Sequence, residues 1–255
     1  MPEPHKDERP KAERIAADIR RKIMAGDWEP GRKVPTNEQL RAQYETSNVT
    51  IQRALQILKD EKFLEGQTGI GVFVRSERAQ TITPAHYIAP SEPGQPYRWL
   101  TEATRRQQTG KYRMLDVAEV EPPVEVARAL RLEAGDTAML RSRIGYLDGQ
   151  PAELVHSYYP IELARDTRLA DRRLIPGGSP ALLNEMGYPT RSQDDAVAAR
   201  PATTEEYEAL EIPRDVPVLE VFRIVYSDDD RPIEVTILTK ASHRFKMGYH
   251  IDLAD

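Results

Sequence analysis

Ile15, Ile19 and Ile23 recur at a spacing of four, the period of one helix face, and predict a helix from about Lys11 to Ala25. Gly26 ends it, and Pro30-Gly31 marks the next turn. A short helix is expected after Pro35, with Thr36 as its N-cap and Gln39, three residues on, as the capping-box partner. A turn at Glu45-Thr46-Ser47 leads into a longer helix from about Asn48 to Lys62. Gly66, Gly69 and Gly71 then punctuate a β-hairpin that closes at Val74.

Beyond Ser76 the pattern changes. Pro84, Pro90, Pro93 and Pro96 with little periodicity predict an extended linker over 76–97. Alternation then predicts strands near 114–120, 137–146, 152–159, 192–199, 218–226 and 233–241. Helices are expected near 99–109, 124–130, 161–168, 181–185 and 204–209. A faint repeat runs through this half: Arg143-Ile144-x-Tyr146-x-Asp148 returns as Arg223-Ile224-x-Tyr226-x-Asp228, offset by 80 residues. Pro151-Ala152-Glu153 likewise returns as Pro232-Ile233-Glu234. Two such hairpins would build one antiparallel sheet with the helices on one side.

The order helix, turn, helix, hairpin over 34–74 is that of a winged helix-turn-helix, which places its second helix in a DNA major groove. At roughly 100° per residue, Ile51, Ala54, Leu55 and Leu58 share one face of that helix. The other face carries Val49, Gln52, Arg53 and Gln56, with Asn48 at its flank. Asn and Gln pair bidentately with adenine, Arg with guanine, and an exposed Val meets a thymine methyl. An ordinary solvated face would carry Glu and Lys there instead. Arg32, Lys33 and Thr36 fall where the second helix would approach phosphates, Arg20, Arg21 and Lys22 would add charge nearby, and Asn37 is a further DNA-binding candidate. Ser47, Asn48, Val49, Thr50, Gln52 and Arg53 form the candidate reading set, and Thr68, Gly69 and Ile70 the tip of the wing.

In the second half, Arg141 and Arg143 alternate onto one face of a strand, and Glu153, Val155 and Ser157 share a face of the next. Paired arginines recognise carboxylate or phosphate, and a nearby Glu accepts from hydroxyls or amines. The plainer reading is an internal Arg–Glu pair that ties the two strands together.

Charge sharpens the division. The 255-residue chain has net charge −5, but residues 1–75 hold 14 Lys/Arg against 12 Asp/Glu and the remainder 22 against 29. Only the first part suits a polyanion. The absence of cysteine excludes disulfides, thiol nucleophiles and Cys-based zinc sites. The five histidines are scattered without metal-ligand spacing, and no nucleophile elbow, P-loop or dinucleotide fingerprint occurs. Asp194-Asp195 and Asp228-Asp229-Asp230 read as solvated turns or strand starts. No apolar run is long enough to span a bilayer and the first residues lack a signal-peptide core, so a cytoplasmic protein without cofactor is expected.

Val34-Pro35-Thr36, Leu40, Ser47, Thr50-Ile51, Ala54-Leu55 and Gly69-Ile70-Gly71-Val72-Phe73-Val74 resemble the amino-terminal domain of the GntR family of bacterial transcription regulators. That family often has Arg where this chain has Glu38, Asn48 and Gln52, a change that favours A·T over G·C pairs. The second half resembles the UTRA effector-binding domain of the HutC-type subfamily, of chorismate-lyase-like fold, through Leu140-x-x-Arg143, Asp148-Gly-x-Pro151, Ser157-x-x-Pro160, Arg223, Pro232 and Glu234. By position, the resemblance adds Tyr158, Arg223 and Glu234 to Arg141, Arg143, Glu153 and Ser157 as effector-binding candidates. It implies an α+β protein with a DNA-binding domain at 8–75, a linker at 76–97 and an effector-binding and dimerisation domain at 98–251. The expected function is a homodimeric, ligand-responsive repressor of a double-stranded operator, released by a small, anionic or polar effector. An enzyme of lyase-like fold joined to a DNA-binding module, or a DNA-binding dimer without effector, are the alternatives.

Overall fold

The computed structural model describes residues 7–75, 80–82, 91, 95–212 and 216–249. The chain divides into one unit running to Gln80 and a second from Thr81 that holds the main sheet. Parts of the expected linker, and position 251 at the end of the expected second domain, lie outside the described residues.

In the first unit, α1 (Lys11–Ala25), α2 (Asn37–Tyr44) and α3 (Asn48–Asp60) precede the antiparallel hairpin of β1 (Leu64–Gln67) and β2 (Gly71–Val74). The helical periodicity is spent on one core: Ile15 and Ile19 from α1, Leu40 from α2, and Ile51, Ala54, Leu55 and Leu58 from α3 meet Leu64 and Val74 of the hairpin. Thr36 and Gln39 form the reciprocal capping box at α2, and Ser47 accepts from the Thr50 amide at α3. The third helix stops two residues before the expected Lys62. That residue takes a left-handed φ of 63°, and the amide of Phe63 returns to the Leu58 carbonyl at 2.9 Å.

The second unit is built on a six-stranded antiparallel sheet. Its strands are β4 (Gly110–Val120), β5 (Ala138–Leu147), β6 (Gln150–Pro160), β7 (Ser192–Arg200), β8 (Val218–Tyr226) and β9 (Pro232–Ala241), in the order β4-β5-β6-β9-β8-β7. The repeat seen in the sequence becomes two hairpins, β5–β6 and β8–β9, joined at the centre by the β6–β9 pairing, with β4 and β7 at the two edges.

The helices do not lie on one side, as the hairpins alone suggested. The strands carry apolar residues at both parities, so both faces need cover. Residues Met139 and Tyr159 pack against α6 (Ile161–Ala164) and α7 (Ser179–Glu185), while Tyr158 and Val235 on the reverse face pack against α5 (Val124–Ala129). On that reverse face Thr239 also reaches Glu206 of α8 (Thr204–Ala209). A short strand β3 (Gln80–Ile82), inside the stretch expected to be linker, pairs with β10 (Phe245–Met247). Ile82 and Phe245 share a cluster with Trp99 of α4 (Arg98–Arg105) and Tyr112. No helix among the described residues is long and apolar enough to cross a membrane.

Candidate DNA interface and effector cavity

Packing Ile51, Ala54, Leu55 and Leu58 inward turns the other side of α3 to solvent. Asn48, Val49, Gln52, Arg53 and Gln56 are all exposed, and Val49 is 74% exposed at the start of the helix. An aliphatic side chain held in water at that place is poor for solubility and suited to a base methyl. The Ser47 hydroxyl is shared between capping α3 and a 2.9 Å contact with Thr50 Oγ1, so these two hold the helix start. At the hairpin tip Thr68 and Gly69 are exposed and Ile70 is 60% exposed. Lys33 pairs with Phe73 as an isolated bridge and lays its ammonium 6.0 Å from that ring. Asn37 is half-buried behind the exposed Thr36.

Not all of the expected positive charge is available. Arg20 donates to both oxygens of Glu61 at 2.8 and 2.5 Å, Lys22 meets Asp18 at 2.9 Å, and Arg21 meets the same carboxylate at 3.4 Å. These three cations neutralise acids of their own unit. Among the described residues, Lys33 and Arg53 carry no ion pair and keep their charge for a phosphate or a base.

The second unit encloses a cavity of about 290 Å³. Its walls come from Pro96, Tyr97 and Leu100 around the start of α4, from Tyr112 and Met114 of β4, and from the loop Leu174 to Ser179. Arg141 and Arg143 of β5 form its polar floor. Of these wall residues the sequence marks only Pro96, and that as part of a linker and not of a site. The one signal was Gly177-Gly178-Ser179-Pro180, a turn that runs into a helix start.

The two arginines differ in what they hold. Arg141 is 3% exposed and donates to the carbonyls of Leu169, Asp171 and Arg173 at 2.6, 2.7 and 2.7 Å. It clamps the loop that forms the cavity wall, so the expected effector contact is corrected to a structural one for most of its donors. Arg143 donates to Ser157 Oγ at 3.2 Å and lies 5.4 Å from the Tyr112 ring centroid. Among the described residues it has no carboxylate partner. Burial opposes its charge, but the surrounding phenols and Glu234 raise its pKa above the ordinary arginine value, and it stays cationic.

Glu153, 1% exposed, is taken by the Lys240 ammonium and the Tyr112 hydroxyl. Burial, and then the Glu153 charge, push the Tyr112 phenol well above its usual range, so it keeps the proton it donates. Glu153 is therefore neither the partner of Arg143 nor open to a ligand. Gly145 makes room for this arrangement, since a Cβ there would lie 2.9 Å from Glu153 Cγ. Arg223 is also corrected: it binds Asp195 through Nε and Nη2 at 2.7 and 2.8 Å. Asp195, expected to be solvated, has a side chain only 7% exposed.

Tyr158 is corrected as well. It alternates with Ser157 and Tyr159 and so falls on the reverse face, beside Val126 and Leu130. Ser157 and Glu234 belong to a chain of hydroxyls behind the cavity: Ser157 Oγ meets Thr236 Oγ1 at 2.7 Å, Thr236 donates to Glu234 at 2.5 Å, and Ser179 of the cavity wall donates to Glu234 at 3.3 Å.

Two family models match the chain, that of the UTRA domain over residues 105–246 and that of bacterial regulatory proteins of the gntR family over residues 11–74. The chain belongs to the GntR family of transcriptional regulators. This GntR-family regulator thus carries a DNA-binding GntR domain and a UTRA effector-binding domain, and the proteins it matches are regulators, not enzymes. It is 26% identical over 253 residues to an uncharacterized HTH-type transcriptional regulator of Streptomyces coelicolor, covering 96% of this chain and 94% of that one. Over 231 residues it is 22% identical to the "probable fructoselysine utilization operon transcriptional repressor" of Escherichia coli, with 88% of each covered. A crystal structure assigned to the GntR family shares the fold at a TM-score of 0.62 and 21% identity, covering 97% of this chain and 99% of that one.

Proposed function

We propose that this regulator is a one-component repressor of the HutC-type subfamily. A homodimer holds a two-fold operator with its two α3 helices and releases it when a small molecule with an anionic or strongly polar end enters the cavity and meets Arg143. The observation that carries the reading is the state of Arg143: a half-buried guanidinium facing a cavity of the second unit, with one hydroxyl partner and, among the described residues, no carboxylate. The surroundings keep this guanidinium charged, and its open donors match the oxygens of an anionic ligand. A ligand favoured by one arrangement of the two heads shifts the equilibrium toward it by as much as its affinities for the two arrangements differ.

The dimer follows from recognition, since one reading helix spans too few base pairs for useful specificity and a two-fold pair doubles the site. Repression is the role named for the fructoselysine operon relative. The division into 8–75, 76–97 and 98–251 belongs to the same proposal, with dimerisation in the last segment and a cytoplasmic site of action. The test is Arg143→Lys, which keeps the charge but removes the bidentate fork. Operator affinity should persist and ligand-induced release should be lost. A variant that responds like the parent would remove Arg143 from the pocket, and one that unfolds would make it structural.

A further inference from the structure

The two hairpins of the sheet carry one arginine each at matching places, and the edge strands treat them differently. Arg223 on β8 stands opposite Asp195 of the edge strand β7, while Arg143 on β5 stands opposite Met114 of the edge strand β4. Asp195 satisfies Arg223 with a two-pronged contact at 2.7 and 2.8 Å. Met114 has no charge to offer, and it lines the cavity together with Arg143. Where one edge strand supplies an internal carboxylate, the other leaves an opening.

The neighbouring acids cannot fill that opening. Glu153 is held by Lys240 and Tyr112, and Glu234 accepts from Thr236 and Ser179. The donors of Arg141 are largely spent on three loop carbonyls. The rest of the described lining is mostly apolar, with Leu100, Met114, Leu174, Ile175 and Pro176 facing Tyr97. We propose that the cavity takes a small monocarboxylate with an apolar body, its carboxylate standing to Arg143 as Asp195 stands to Arg223. This rests on the reading of the cavity as the effector site.

Charge and hydrogen bonding both select this class. A phosphate monoester carries about −1.5 to −2 charges at neutral pH and three acceptor oxygens, more than one open guanidinium satisfies. A sugar would bring hydroxyl donors into a site whose carboxylates are already occupied, and each unmet hydroxyl opposes binding. The volume of about 290 Å³ sits at the small end of ligand cavities, which run about 300–1,000 Å³.

The test uses the full chain and measures binding by calorimetry and operator affinity by fluorescence anisotropy. The probes are benzoate, phenylacetate and 4-methylpentanoate, with benzamide and phenylacetamide as neutral counterparts and glucose 6-phosphate as the polar anion. The carboxylates should bind at least tenfold more tightly than their amides and than glucose 6-phosphate. Met114→Asp should install the missing carboxylate and weaken carboxylate binding at least thirtyfold, while Met114→Leu should change it less than threefold. Leu174→Glu, at a half-exposed wall position, should also weaken it at least fivefold and keeps the test open if Met114→Asp does not fold. Carboxylates that fail to bind the parent, or that bind Met114→Asp equally well, overturn the inference. Glucose 6-phosphate binding in their place and releasing DNA would overturn it while leaving the effector reading standing. Benzoate that binds through Arg143 and Met114 without altering operator affinity would keep the inference and sink the effector reading.

Discussion

Replacing Lys240 by Met should destabilise the second unit severely, because it strands a carboxylate where water cannot reach. Lys240 is 3% and Glu153 1% exposed, and among the described residues the other group on that carboxylate is the Tyr112 hydroxyl. Breaking a buried pair from one side costs about 3–5 kcal/mol. A domain of this size moves roughly 2–4 °C in melting midpoint per kcal/mol, so the fall should be roughly 6–20 °C. Removing both charges, in Glu153→Leu with Lys240→Met, leaves only the Tyr112 hydroxyl without its acceptor, at about 1–3 kcal/mol. The double variant should therefore melt higher than Lys240→Met alone. Trp28 and Trp99 are the two tryptophans of the chain, and Trp99 lies 4.6 Å from the Tyr112 ring, so Trp99 fluorescence in a Trp28→Phe background reports this unit. A Lys240→Met protein that melts within a degree of its parent, or a double variant whose loss equals the sum of the two singles, would refute the pairing.

On the DNA side, Gln52→Ala should lose about 1–3 kcal/mol of specific binding and relax base preference at one position per half-site. Arg53→Ala should lose a similar amount, or weaken all sequences alike if it holds a phosphate; unchanged binding-site selection and affinity for both would rule out this docking. Arg223→Met should cost about 3–5 kcal/mol in urea denaturation by stranding Asp195, with ligand affinity at low temperature within twofold of the parent. Ligand loss without destabilisation would reverse the roles given to Arg223 and Arg143. Burial works against the Glu206 carboxylate, but Arg200, the Thr203 amide and Thr239 outweigh it and hold its pKa at about 2. That stability is full above the ordinary glutamate pKa of about 4.3 and is lost as pH falls toward about 2, a change of about 3 kcal/mol at most. Glu206→Gln should flatten acid unfolding across that window, and an unchanged profile would assign the acid sensitivity elsewhere.

The sequence was most legible where periodicity and burial coincide. The inward face of α3, the capping box at Thr36 and the six long strands all follow from local pattern, and the repeat disclosed both central hairpins. Strands β3 and β10 escaped because three residues are too few to show alternation. Side-chain partnerships escaped for a different reason. Glu153 and Lys240 are 87 residues apart, and only the β6–β9 pairing sets them opposite each other. A lysine inside the apolar run Ile233 to Ala241 was the available hint of a buried partner. Likewise, whether Arg143 or Arg223 is free depends on the edge-strand residue opposite each, which the register of β4 and β7 decides. The cavity wall at Leu174 to Ser179 has no periodicity of its own and is held in place by the carbonyl contacts of Arg141.

Ligand-coupled release of DNA is tested most directly by anisotropy titration of the full chain on a labelled fragment of its adjoining promoter, with and without a ligand bound in the cavity. Binding should be saturable and sequence-selective, the ligand should weaken it at least tenfold, and Arg143→Lys should bind the same DNA without responding. A ligand shown to occupy the cavity that leaves the parent's operator affinity unchanged would contradict the coupling.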